Sequence, residues 1–326
     1  MLPNQYKQVF RYHPRLGYWY REKIDFRVQS QSIDKHYYRI ATNKIGARCN
    51  HDDFSEKKKK KLLFLGCSFT AGDGVSNGFR FTDIIEKENN DLKSFNYALS
   101  GSGNDQQLII KNIFEKKINP DFLILSSYTG CIGRNVQKSR IAYDQLRGVM
   151  INRPKPYFQL RKNKIVSNHK VVPKAFLGPL KLNKNNDSSF IKFSKKLFNL
   201  SKGVFEREKW LDDQMYYSKN ATPYILSKLI IKKLVASSNA KKKILMPLPS
   251  PRDFLINKTP NYINFFKSIV DELNDDNLIF FNIYSDIKKL NNFDISSLFF
   301  SGDGHPNRKG HNLIANYLLN KLDNSI

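Results

Sequence analysis

The sequence predicts an α/β fold of three layers, a central parallel sheet with helices on both faces. Two observations carry this. Short continuous apolar runs at 62–66, 122–125 and 244–248 have the pattern of strands buried on both faces. Between them lie segments with helical spacing, and strands alternating with helices put neighbouring strands parallel.

In chain order, 1–56 is mixed. Tyr12-His13-Pro14 and Leu16-Gly17-Tyr18 read as turns, and alternating patches over 24–40 read as a small β-hairpin. We expect an N-terminal extension over 1–56, packed on the main domain. From 57 the α/β pattern begins, with the strand at 62–66, a Gly/Ser/Thr-rich loop and a helix over 79–88. A strand at 94–99 follows, then a helix over 105–117 with Leu108, Ile109, Ile113 and Phe114 on one side. Asn119-Pro120 ends that helix ahead of the strand at 122–125. From about 131 to 217 the pattern is lost apart from a helix over 190–200, so this stretch is read as an insertion in a domain spanning 57–326. The pattern resumes with a helix over 223–236, strands at 244–248 and 278–283 with a helix over 262–273 between them, and a last helix over 310–322.

Composition narrows the function classes. The 326 residues carry 55 Lys+Arg against 29 Asp+Glu, a formal net charge of +26. Such a surface attracts polyanions or an anionic membrane weakly. The cations are mostly lysines scattered among Asn and Ile, not arginines and aromatics gathered on one element, so no specific nucleic-acid partner is expected. The run Lys57–Lys61 is read as a solvated lead-in to the first strand. Three cysteines, Cys49, Cys67 and Cys131, make no disulfide framework and no metal-ligand spacing. No apolar run reaches membrane-span length and the N-terminus lacks a signal-peptide core, so the expectation is a cytoplasmic protein without a transmembrane segment. Neither a phosphate-binding loop nor a dinucleotide fingerprint occurs, and no cofactor or metal is expected.

Three clusters carry chemistry, each just past the C-terminal end of a strand or in a late loop, where α/β sheets place function. In Gly66-Cys67-Ser68-Phe69-Thr70-Ala71-Gly72, a serine follows a buried strand in a small-residue loop and opens a helix. Its hydroxyl is held at the sheet edge, and its N–H lies where an oxyanion is favoured. The second cluster, Asn96 to Gln106, has Gly101 and Gly103, whose backbone can approach another group closely. In the third, Gly302-Asp303-Gly304-His305-Pro306-Asn307, a histidine two residues after an aspartate can face a serine while the carboxylate sets its tautomer. Cys67 is the rival nucleophile, but its strand-end position turns it into the core, away from Ser68. His311 is read as structural, and His13, His36, His51 and His169 as surface or packing residues.

The order serine, glycine, then Asp and His before the terminal helix resembles the SGNH/GDSL hydrolase superfamily over 60–130 and 243–322. The resemblance implies a flavodoxin-like α/β/α fold with Ser68 as nucleophile, His305 as base, Asp303 as acid, and the N–H groups of Ser68 and Gly101 as oxyanion donors. Tyr12-His13-Pro14-x-Leu16-Gly17 and Asn43-x-Ile45-Gly46-x-Arg48 look like the N-terminal segment of a bacterial branch of that superfamily. The sequence departs from the pattern in three places. Gly-Asp-Ser reads Gly66-Cys67-Ser68. The last pair is spaced Asp-x-His, as in the branch similar to alginate O-acetylation proteins. The third-block asparagine has no equivalent in Ser127-Tyr128-Thr129-Gly130-Cys131, where Thr129 and the nearby Asn104 are the polar groups available in its place. The implied activity is an esterase or deacetylase acting on an O-acyl group of a carbohydrate or other small ester. The alternatives are an O-acyltransferase using the same triad, and a weak or inactive relative binding an acidic glycan or other polyanion.

Overall fold

The apolar runs form the centre of the computed structural model, which describes residues 9–30, 32–52, 54, 59–144, 149–162, 164–167, 171–174, 216–255, 259–289 and 294–323. Two antiparallel hairpins come first: β1 (Phe10–His13) with β2 (Gly17–Tyr20), and β3 (Asp25–Gln29) with β4 (Tyr37–Ala41). The α/β core opens with β5 (Lys60–Leu65), α1 (Ser68–Ala71), α2 (Phe81–Glu88), β6 (Leu92–Asn96), α3 (Asn104–Ile118) and β7 (Phe122–Leu125). Two further hairpins follow, β8 (Ser139–Asp144) with β9 (Val149–Pro154), and β10 (Phe158–Arg161) with β11 (Lys164–Ser167). The core then resumes through α4 (Thr222–Ala236), β12 (Lys242–Leu245), α5 (Pro251–Leu255), α6 (Asn261–Leu273), β13 (Leu278–Phe280), α7 (Ile283–Lys288) and α8 (Arg308–Asp323).

The sheet order is β13-β12-β7-β5-β6, parallel throughout. Counted along the chain this is the flavodoxin-like order 2-1-3-4-5, whose switch point lies between β5 and β7. Strand alternation divides β5 between two cores. Leu63 and Leu65 face one, with Leu108, Phe114, Ile230 and Phe265 from α3, α4 and α6. Leu62 and Phe64 face the other, with Phe81, Ile85, Ile283 and Leu318 from α2, α7 and α8. All four strand residues have no accessible surface. Each such side chain contributes about 1.5–3 kcal/mol relative to exposure, which is why this run needs a helix layer on either side.

Helix ends follow local chemistry. Asn119, at φ 50°, closes α3 in the left-handed conformation, with Lys116 and Lys117 in its last turn against the negative end of the dipole. The Asn307 side chain accepts from the N–H of Lys309 and Gly310 (2.9 and 3.1 Å), capping the start of α8.

Two expectations need correcting. The turns read at 12–14 and 16–18 are a single turn at 14–16 joining two strands of a β-hairpin, and the part of 131–217 read as patternless contains β8 to β11. In β10 and β11 most side chains are exposed or half-buried, so no clean apolar alternation marks them. The helix expected over 190–200 lies outside the described residues. The first hairpin packs into the α3 side of the core, where the Trp19 ring stacks on Phe114 (5.7 Å between centroids).

Candidate active site

Gly66 ends β5 where only glycine fits, because a methyl group there would overlap the Thr70 hydroxyl and the Ser126 carbonyl. Thr70 Oγ1 donates to that same carbonyl, pinning the serine loop to the end of β7. Ser68 is the first residue of α1, and Gly72 closes that single turn. The start of a helix leaves N–H groups without intrahelical partners. Among the described residues, the N–H of Ser68 donates to no other group, and neither does that of Gly101. Gly101 has φ +78°, and the turn around it is tied to the serine loop: Leu99 N–H and Ser102 Oγ both donate to the Gly66 carbonyl (3.0 and 3.1 Å).

The third cluster folds back onto this rim. Phe300 N–H donates to the His305 carbonyl (2.9 Å), closing a tight loop that carries Asp303 and His305. His305 Nε2 lies 2.7 Å from Ser68 Oγ, and His305 Nδ1 lies 2.8 Å from Asp303 Oδ1. An ionised carboxylate can only accept, so the Nδ1 proton belongs to that bond, and the Nε2 lone pair faces the serine hydroxyl. Burial works against the imidazolium. The Asp303 hydrogen bond and charge, helped by Asp73, outweigh it and raise His305 above its ordinary 6.5. The Phe69 ring covers the imidazole at 5.0 Å.

The structure thus brings Ser68, Gly101, Asp303 and His305 to one edge. The polar groups of Thr129 and Asn104 are engaged by other partners. Thr129 Oγ1 donates to Asp253 Oδ2 (3.3 Å). The Asn104 amide donates to Gln107 and its carbonyl accepts from Asn135 (2.8 and 3.0 Å), inside a buried polar network. Cys67 is wholly buried in the core on the α2 side, where its Sγ accepts from Tyr128 N–H (3.3 Å). Burial disfavours its thiolate, but the hydrogen bond with Cys131 and the Arg134 charge together bring it well below the usual thiol range. His311 is buried, accepts from Phe81 N–H (3.1 Å) and is held down to about 3 by burial and the Arg80 charge. His13 accepts from Arg15 and Leu16 N–H within its own turn, and His51 pairs with Glu86. Among the described residues no group of three His, Cys, Asp or Glu is placed to hold a metal ion, and no helix is long and apolar enough to cross a membrane.

Several residues around the site had no role in the sequence reading. Asp73, five residues after Ser68, accepts from Ser100 Oγ (2.6 Å) and lies 3.7 Å from the buried Arg48 guanidinium. Burial pushes its carboxyl up, against the pull of His305, Arg48 and Ser100. Tyr18 and Tyr20, on one face of β2, both reach Ser100: Tyr18 Oη donates to its carbonyl (2.9 Å) and Tyr20 Oη meets its hydroxyl (2.6 Å). Arg48 also donates to the carbonyls of Gly72 and Val75 (both 3.1 Å), clamping the loop after the serine. His36 is more than packing. Its Nε2 lies 2.7 Å from the Gly74 carbonyl, its ring stacks on Phe300 at 4.4 Å, and nearby Ile33 N–H donates to Ser301 (3.1 Å). The N-terminal segment therefore buttresses both site loops. The motif Asn43-x-Ile45-Gly46-x-Arg48 and the period-2 spacing of Tyr18 and Tyr20 are signals of this in the sequence.

The chain is similar to several solved structures. A lipase/acylhydrolase from Enterococcus faecalis aligns with TM-score 0.45 and 11% identity, over 82% of this chain and 96% of that one. A member of the lipolytic protein G-D-S-L family from Veillonella parvula aligns with TM-score 0.40 and 14% identity, over 80% and 97%. A catalytic mutant of an acetylxylan esterase from Geobacillus stearothermophilus aligns with TM-score 0.43 and 14% identity, over 80% and 93%. No family model and no curated protein matches the sequence.

Proposed function

We propose that this chain is a serine ester hydrolase. The observation that supports it most directly is the hydrogen-bonded line Ser68 Oγ, His305, Asp303, at 2.7 and 2.8 Å. In this reading the Ser68 hydroxyl attacks the acyl carbonyl as His305 Nε2 takes its proton. The N–H groups of Ser68 and Gly101 stabilise the tetrahedral oxyanion. His305 returns the proton to the departing alcohol, leaving an acyl-enzyme. Water, deprotonated by the same imidazole, then releases the carboxylic acid and restores the serine. Asp303 holds the tautomer and stabilises the imidazolium at each passage. With no side-chain amide at the third donor position, the hole relies on backbone N–H groups. The motif resemblance extends the reading to an O-acyl group on a carbohydrate.

The test is hydrolysis of a short-chain chromogenic acyl ester by the wild type and by Ser68→Ala. Turnover that disappears in the variant is the expected result. Equal rates from the two proteins would overturn the proposal.

A further inference from the structure

Beside the Gly101 turn lies a group of cations that the ester chemistry leaves unused. Tyr18 Oη, 2.9 Å from the Ser100 carbonyl, sits where a Cβ on Gly101 would come within 3.0 Å of it. Arg153 sits over the Tyr18 ring, Arg140 is its direct partner across the β8–β9 hairpin, and Arg134 reaches the same turn through Ser102. Arg134 is fixed by Nη1, which donates to the Ser102 carbonyl (3.0 Å) and to Cys131 Sγ (3.3 Å), with its guanidinium 5.9 Å from the Tyr128 ring. Arg153 lies over the Phe10 and Tyr18 rings at 5.8 and 6.0 Å. Arg140 donates Nη1 to Gln137 Oε1 (2.8 Å) and stands directly opposite Arg153 on the neighbouring strand. Among the described residues, no ion pair joins any of these three to an acidic side chain. Asp105 is wholly buried and committed to Lys155, and Asp73 is engaged by Ser100 and lies 3.7 Å from Arg48.

Arg134 has the Cys131 sulfur beside it, whereas Arg140 and Arg153, directly opposite each other on β8 and β9, are like charges that an anion between them would relieve. We infer that Arg134, Arg140 and Arg153 form a subsite for an anionic group, a carboxylate or a phosphate, carried by the ester substrate. Planar guanidinium forks suit both groups, and the rings beneath Arg134 and Arg153 hold those two forks in place. As a substrate subsite this rests on the ester-hydrolase reading, and it names the class of substrate: an acylated acidic sugar or sugar phosphate rather than a neutral one. Anion binding itself does not depend on turnover.

The test therefore uses Ser68→Ala protein, titrated calorimetrically with galacturonate, galactose 6-phosphate and galactose. The expected result is that an anionic sugar binds at least about tenfold more tightly than galactose, and that Arg140→Gln and Arg153→Gln each weaken it about tenfold, the worth of one charged hydrogen bond. Added salt should weaken it further, and the more tightly held sugar identifies the group as carboxylate or phosphate. Arg134 packs on Cys131, so the two outer arginines carry the test, with the exposed Arg27→Gln as control. Galactose binding as tightly as both anions, or binding untouched by both outer variants, would overturn the subsite. Anion binding without ester turnover by the wild type would sink the hydrolase and leave the anion site standing.

Discussion

Replacing Asp303 by Asn tests the site at its most informative bond. The 2.8 Å contact to His305 Nδ1 is shielded, with the two side chains 11% and 20% exposed. At about 4 Å between charges and an effective dielectric constant near 20, a carboxylate stabilises an imidazolium by about 4 kcal/mol. Removing that charge should cost about a thousandfold in kcat, since each 1.36 kcal/mol is tenfold. The asparagine amide can also donate to Nδ1 and force the proton onto Nε2, so that the serine meets an N–H where it needs a lone pair. Together these predict a loss of about 10³–10⁴. The pH profile gives a second readout. The base must be unprotonated, so wild-type activity is lost as pH falls through a His305 value above 6.5. Asp303 helps to raise that value, so the residual activity of Asp303→Asn should show its acid limb at lower pH. The assay is kcat and kcat/KM for a chromogenic acyl ester between about pH 5 and 9. A variant within tenfold of the wild type, or an unmoved acid limb, would refute the reasoning.

Three other predictions concern the scaffold and the oxyanion turn. Lys155 and Asp105 are both wholly buried, and Lys155 Nζ also reaches the carbonyls of Arg134, Gln137 and Pro156 (3.3, 3.2 and 3.0 Å); Asp105→Asn should cost about 3–5 kcal/mol in chemical denaturation, and the Asp105→Leu/Lys155→Met double variant less, whereas a single-variant cost under about 1 kcal/mol would contradict this. His311 is held at about 3 against an ordinary 6.5, so below 6.5 the unfolded chain takes up a proton that the folded chain refuses, and stability falls with pH by on the order of 4 kcal/mol until about pH 3. Thermal melts should show the stability deficit of His311→Asn shrinking from about pH 7 to pH 4, and a constant deficit would count against it. Gly101→Ala meets both a φ of +78° and the Tyr18 hydroxyl, and should lower kcat/KM by about 10- to 100-fold with little loss of fold, as checked by circular dichroism and ester hydrolysis.

What the sequence discloses is what neighbouring residues determine. β5 is legible because burial on both faces demands an unbroken apolar run, and Asn119-Pro120 is legible because it is local. The serine loop and the Asp303-His305 pair are short motifs on single loops, so their residue types can be read without knowing the fold. Asp73, Tyr18, Tyr20 and Arg134 could not be placed, because their partners Ser100 and Ser102 lie 27, 82, 80 and 32 residues away. Those separations close only once the sheet exists. The β10–β11 hairpin is hard to read for another reason: where strands are half-exposed, charged and apolar residues mix, and the period of two is blurred.

Ser68 and the imidazole that meets its hydroxyl are 237 residues apart in the chain. During synthesis at about 5–20 residues per second, the serine turn emerges roughly ten to fifty seconds before its base is made. Through that interval the hydroxyl is an ordinary alcohol, and a nascent chain meeting an activated ester has nothing with which to attack it. In the proposed reading, the line from serine to carboxylate is complete only after the ribosome has passed His305 and the loop bearing it has docked against Gly74 and His36.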